Sequence, residues 1–289
     1  MPTAVLLFAA VMWGFTWLPL KTINSLGVDG SLLTLIAFGA ASLLVLPAML
    51  WQWPRWRGHP RAVAAMFVLG GFANLAFTVA LIQGDIIRVM MLFYLAPVWG
   101  VLGGAGFLGE RIDSKRVLGV MLALAGAFLV LGGSATLDAP PSWNDLLAVA
   151  SGFAFAMNNV ACRATQQVPV ATKLGAMFVG SSVLAAGHLW LLGEGVPSVG
   201  PAGWVSSLAY GLVWIVVATL ATQWAVTHME AGRAAVILIA ELLAAVLSAA
   251  LIAGEIMSPQ EVAGGVLILA ATLLEARREV VPDVSHAVT

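Results

Sequence analysis

Glu241 stands in the run Ile237-Leu238-Ile239-Ala240-Glu241-Leu242-Leu243, with apolar residues on both sides. A carboxylate there, some eight residues or roughly 12 Å along an apolar helix, is expensive to ionise alone. It needs a polar partner or a retained proton, and it could gate, carry a proton or bind a substrate ammonium. Uncharged polar residues recur at helical spacing nearby. Asn74 and Thr78 lie four apart and share one helix face, as do Thr219 and Gln223. Asn158, with Asn159 and Arg163, stands towards the end of another apolar stretch. Such residues face a wet cavity or tie helices together. Trp13 and Trp17 lie four apart, and Tyr94 and Trp99 follow on a later stretch. Aromatic faces suit an apolar substrate and can hold an ammonium by cation–π attraction, or they simply pack.

Two acid–arginine pairs, Asp85 with Arg88 and Glu230 with Arg233, have the spacing of one helical turn. The acid favours a helix N-terminus and the arginine can pair with it, as a structural tie or as a gate. No HExxH motif and no Ser/His or His/Asp pattern is present, so catalytic and metal sites are not expected. The single cysteine, Cys162, excludes an intramolecular disulfide and any cysteine-based metal site. No cofactor is expected.

The elements that must position these residues are membrane helices. The chain is 61% hydrophobic and 9% charged, against roughly 45–50% apolar for soluble domains. Its net charge of −1 gives nucleic acid no purchase. Apolar runs near 3–22, 31–52, 61–83, 86–108, 114–133, 142–162, 171–192, 202–227, 233–253 and 259–277 predict ten spans. Pro54 to Pro60, Asp113-Ser114 and Ser258-Pro259 punctuate them. Tryptophans near helix ends, such as Trp51, Trp143 and Trp190, read as interfacial belts.

Residues 85–131 also align without a gap on residues 230–276, an offset of 145. Asp85 falls on Glu230, Arg88 on Arg233, Gly109-Glu110 on Gly254-Glu255, and the Asn74/Thr78 face on Thr219/Gln223. Rare charges matching in one register indicate duplication. Two repeats follow, 1–134 and 135–278, with 279–289 as a cytoplasmic tail expected to be disordered. Of 13 lysines and arginines, only Lys21 and Arg88 fall outside if both termini are cytoplasmic. Five helices per repeat then force the copies into opposite orientations. The loop charges agree: Arg111, Lys115 and Arg116 follow the fourth helix, whereas the copy after the ninth keeps Glu255 without a basic residue. The expected fold is all-α, ten transmembrane helices as two inverted five-helix repeats around a central cavity.

Trp13-Gly14-Phe15, the LAPV at 95–98, LGE at 108–110 and AGE at 253–255 resemble the EamA-type drug/metabolite transporter superfamily. The resemblance implies five plus five inverted helices, with a proline-containing fourth helix ending in Gly-Glu. It is nearest to bacterial amino-acid and metabolite exporters, including the aromatic amino-acid branch, and it implies export through the inner membrane. One departure stands out: Leu242 occupies the place of Pro97 in the second repeat, so a kink there needs another cause. The related small multidrug antiporters carry an acid in their first helix, and residues 3–22 have none. The expected partners are the lipid bilayer and a neutral or zwitterionic, partly apolar solute such as an amino acid, moved by alternating access. Proton-coupled multidrug or metabolite efflux is the alternative, and a membrane-embedded enzyme is the distant one. A monomer is favoured.

Overall fold

A computed structural model describes residues 1–28, 30–83, 86–133, 140–192, 199–248, 251–252 and 258–277. Asp85, Glu255 and the 279–289 tail lie outside the described residues. The helices are α1 (Pro2–Gly14), α2 (Trp17–Asn24), α3 (Gly30–Trp51), α4 (Trp53–Trp56), α5 (Pro60–Gln83), α6 (Ile86–Phe93), α7 (Ala96–Leu108) and α8 (Ser114–Val130). They continue as α9 (Trp143–Ala164), α10 (Val170–Leu192), α11 (Pro201–Ala209), α12 (Val216–Thr227), α13 (Ala231–Leu238), α14 (Ala240–Ser248) and α15 (Pro259–Ala276). A π-helical turn, Tyr210–Ile215, joins α11 to α12. Among the described residues, eight helical stretches are long and apolar enough to cross a membrane. Of the other two expected spans, α8 has 17 residues, and 233–253 is interrupted at Ile239.

Helix starts follow local chemistry. Asp113 accepts from the Arg116 N–H at 2.8 Å and caps α8. Ser142 and Ser258 form capping boxes with Asp145 and Glu261, which satisfy otherwise orphaned N–H groups. Three spans expected to be continuous are broken instead. Pro97 cannot donate to the Phe93 carbonyl and its ring crowds that oxygen, so α6 ends at Phe93 and α7 begins at Ala96. Pro19 does the same to Phe15, between α1 and α2. The third break, at Ile239, has no proline beside it. The chain tightens there through Ile239 N–H to Val236 O and Leu242 N–H to Ile239 O, and Glu241 occupies the first turn of α14. A carboxyl in that position complements the free N–H groups of the new helix start.

Helix α5 packs on α9 and α10, α3 on α10, α8 on α15, and α7 on α9 and α13, while α1 packs on α12 and α14. Many crossings are backbone to backbone. A Cβ on Gly152 would stand 2.5 Å from Phe93 O, and one on Gly14 would stand 2.5 Å from Glu241 O. In the α8–α15 pair, a Cβ on Gly126 would be 2.7 Å from Gly264 O, and one on Gly264 would be 2.6 Å from Gly126 O. Small residues permit such close approach. The outer face is apolar: Leu43 is 74% exposed and Phe107 76%. The fully buried set, by contrast, includes Arg116, Lys173 and Asn158. Apolar residues outside and polar residues inside describe a protein solvated by hydrocarbon.

Candidate functional site

Two of the breaks face each other. The Tyr94 hydroxyl, just past α6, donates to Glu241 Oε1 at 2.5 Å, across from the start of α14. This pair lines a cavity with Phe93 and Pro97 from the α6–α7 junction, Phe155 and Asn159 from α9, and Leu238 and Ile239 from the α13–α14 junction. Its room is about 20 Å³, space for about one or two water-sized groups. Phe93 anchors the aromatic wall, with ring centroids 5.5 Å from Phe155 and 4.6 Å from Phe77. Gly152 lets α9 come close enough to bring Phe155 and Asn159 to that wall. Glu241 is half-buried, Tyr94 and Asn159 are buried, and Asn159 Oδ1 has no hydrogen-bond partner.

Residues 2–132 and again 142–276 match the model of the EamA-like transporter family. The chain belongs to the EamA-like transporter family. An uncharacterised transporter of Archaeoglobus fulgidus is 24% identical over 256 residues, covering 88% of this chain and 90% of its own. One from Bacillus subtilis is 26% identical over 284 residues, 93% and 91% of the two chains. An uncharacterised protein of Pseudomonas aeruginosa is 32% identical over 240 residues, 77% of each. A solved crystal structure superposes with a TM-score of 0.78 at 20% identity, covering 96% of this chain and 98% of its own; that likeness concerns the fold. The EamA-like assignment makes this a multi-pass membrane protein that moves small molecules, and its relatives' names point to transport rather than catalysis.

Within this EamA-like chain, only Tyr94 and Glu241 of the expected binding residues line the cavity. The others join helices. Trp13 donates to Thr222 at 3.1 Å and Trp17 to Ser248 at 2.8 Å, binding α1 and α2 to α12 and α14. Asn74 donates to Ser181 at 2.9 Å, and Thr78 accepts from Thr34 at 3.4 Å. Asn158 is fully buried and meets Met177 Sδ at 3.6 Å. Thr219 and Gln223 are buried on α12, and Trp99 packs edge-on to Phe153 at 5.7 Å. Phe93, Phe155 and Asn159 line the cavity in their place. Asn158 and Asn159 differ by about 100° around the helix, and sequence alone does not orient that circle.

Of the two expected charged pairs, Asp85–Arg88 lies partly outside the described residues, and Glu230–Arg233 is arranged differently. Glu230 pairs with Arg116 at 2.5 Å rather than with Arg233. Arg233 instead donates to Ala276 O at 2.7 Å and to Thr3 at 3.2 Å. Arg116 also holds Glu110 at 3.1 Å. Glu110 accepts from the Ala231 and Gly232 N–H groups at 2.7 and 3.2 Å, at the start of α13. One network thus clamps the α7–α8 loop to α13. Arg88 pairs at 2.9 Å with Asp145, an acid of the first turn of α9. Lys173 donates to Cys162 O at 2.5 Å and to Thr227 at 2.9 Å, tying the ends of α9 and α12.

Proposed function

We propose that this chain exports amino acids, aromatic or otherwise apolar ones, and related small metabolites by alternating access. The proposal includes ten spans arranged as two inverted five-helix repeats, with both termini cytoplasmic. The broken helices α6–α7 and α13–α14 are copies at the 145 offset, for Leu95 falls on Ala240 and Ser114 on Pro259. The packing supports the repeat as well. Exchanging each helix for its copy turns the α7–α9 contact into α14–α1 and leaves α3–α10 and α8–α15 unchanged.

The observation that carries the reading is the Tyr94–Glu241 pair, one residue from each half, set at two helix breaks over a common cavity. Substrate enters when the cleft widens, and its apolar body lies along Phe93 and Phe155. Glu241 then exchanges its bond from Tyr94 for the substrate. The Glu110–Arg116–Glu230 network closes the cytoplasmic end.

Proteoliposomes loaded with radiolabelled phenylalanine or leucine test this directly. Efflux is expected from the parent protein and should be lost in Glu241→Gln. No flux for aromatic or aliphatic amino acids would refute the substrate assignment. Proton-coupled multidrug or metabolite efflux is the second reading, favoured by a single carboxyl group among apolar walls. It requires flux to follow an imposed pH gradient in the parent and to ignore it in Glu241→Gln.

A further inference from the structure

Two residues that line the cavity, Glu241 and Asn159, carry side-chain oxygens that a donor could satisfy. Glu241 offers a carboxyl group, one oxygen of which already accepts from Tyr94. Asn159, 4% exposed, adds an amide oxygen that no donor reaches. Buried acceptors without a partner are uncommon because the water they gave up is not replaced. Among the described residues, no lysine, arginine or histidine lines this cavity. Phe93, Phe155, Pro97 and Leu238 make the rest of it apolar. An incoming carboxylate would therefore meet another carboxyl group and no counter-charge. An ammonium would supply up to three donors to Glu241 and Asn159, and its size suits the free space.

We propose that the group this site recognises is a protonated primary amine on an apolar or aromatic body, held between Glu241 and Asn159, and that a carboxylate on the same molecule is dispensable. The inference rests on the cavity being the substrate site, and it names amines without an acid group as further substrates.

Three probes of one shape separate the parts: phenethylamine, phenylalanine and 3-phenylpropionate. Binding to the full chain in nanodiscs is read by tryptophan fluorescence, and movement by flux in proteoliposomes. Phenethylamine is expected to bind at least as tightly as phenylalanine, with 3-phenylpropionate weaker by about tenfold or more. Asn159→Leu should weaken phenethylamine by about tenfold without lowering the melting temperature. Asn159→Asp, a second carboxylate, should tighten it. Phenethylamine bound and moved while phenylalanine is not would uphold the amine site and remove the amino-acid reading. Phenylalanine moved while phenethylamine is neither bound nor moved would do the reverse. Absence of phenethylamine binding, equal binding of 3-phenylpropionate, or unchanged affinity in Asn159→Leu would each overturn the amine site.

Discussion

Deleting the Arg116 guanidinium would leave two carboxylates facing each other inside a closed end of the bundle. Arg116 is fully buried and holds Glu110 at 3.1 Å and Glu230 at 2.5 Å. Removing one member of a buried ion pair costs about 3–5 kcal/mol, because the remaining charge is stranded. Two features place Arg116→Ala at the lower end of that range. Glu110 keeps its bonds from the Ala231 and Gly232 N–H groups, and the Glu230 side chain is 27% exposed, so water can replace part of what it loses. A loss of about 3 kcal/mol corresponds to a melting midpoint lower by about 6–12 °C for a chain of this length. The readout is built in: Cys162 is the single cysteine and fully buried, so a thiol-reactive dye reports unfolding. Arg116→Lys should fall in between, since an ammonium cannot reach both carboxylates as a planar fork does. A midpoint for Arg116→Ala within about 1 °C of the parent would refute the idea that this network holds the end closed.

Two further outcomes follow from the packing. Gly152→Val drives a side chain into the Phe93 carbonyl and should cost about 1–3 kcal/mol in thermal stability, with loss of transport as α9 leaves the cavity wall. Gly39→Ala, which meets nothing within 4 Å, should hold stability or raise it by about 0.5–1 kcal/mol; equal losses in both would show that space is not the cause. In a Cys162→Ser background, Lys115→Cys and Gln260→Cys are exposed positions separated by the repeat offset. A membrane-impermeant thiol reagent should reach them from opposite sides, and labelling from one side would sink the inverted arrangement.

Much of the scaffold was legible because apolar length and capping chemistry are local. The predicted spans 142–162 and 171–192 lie within a residue or two of α9 and α10, and the starts at Ser114 and Pro259 were read from Asp113 and Ser258. The break after Phe15 was also within reach through Pro19. The break at Ile239 was not, because no proline marks it, and the tyrosine that meets Glu241 beside it is 147 residues away. The polar pairs marked depth in the membrane but not azimuth. Asn74 and Thr78 do share a face, yet that face meets Ser181 and Thr34. Partners of that kind are chosen by the assembled bundle.

The crossing of α8 and α15 has a mechanical consequence. Where Gly126 and Gly264 present bare main chain to each other's carbonyls, nothing compressible lies between the helices, and neither can shift along the other without collision. That side of the molecule behaves as a fixed spine with a set width. If the halves move as proposed, room for a passenger is made away from that crossing, around the Tyr94–Glu241 cavity.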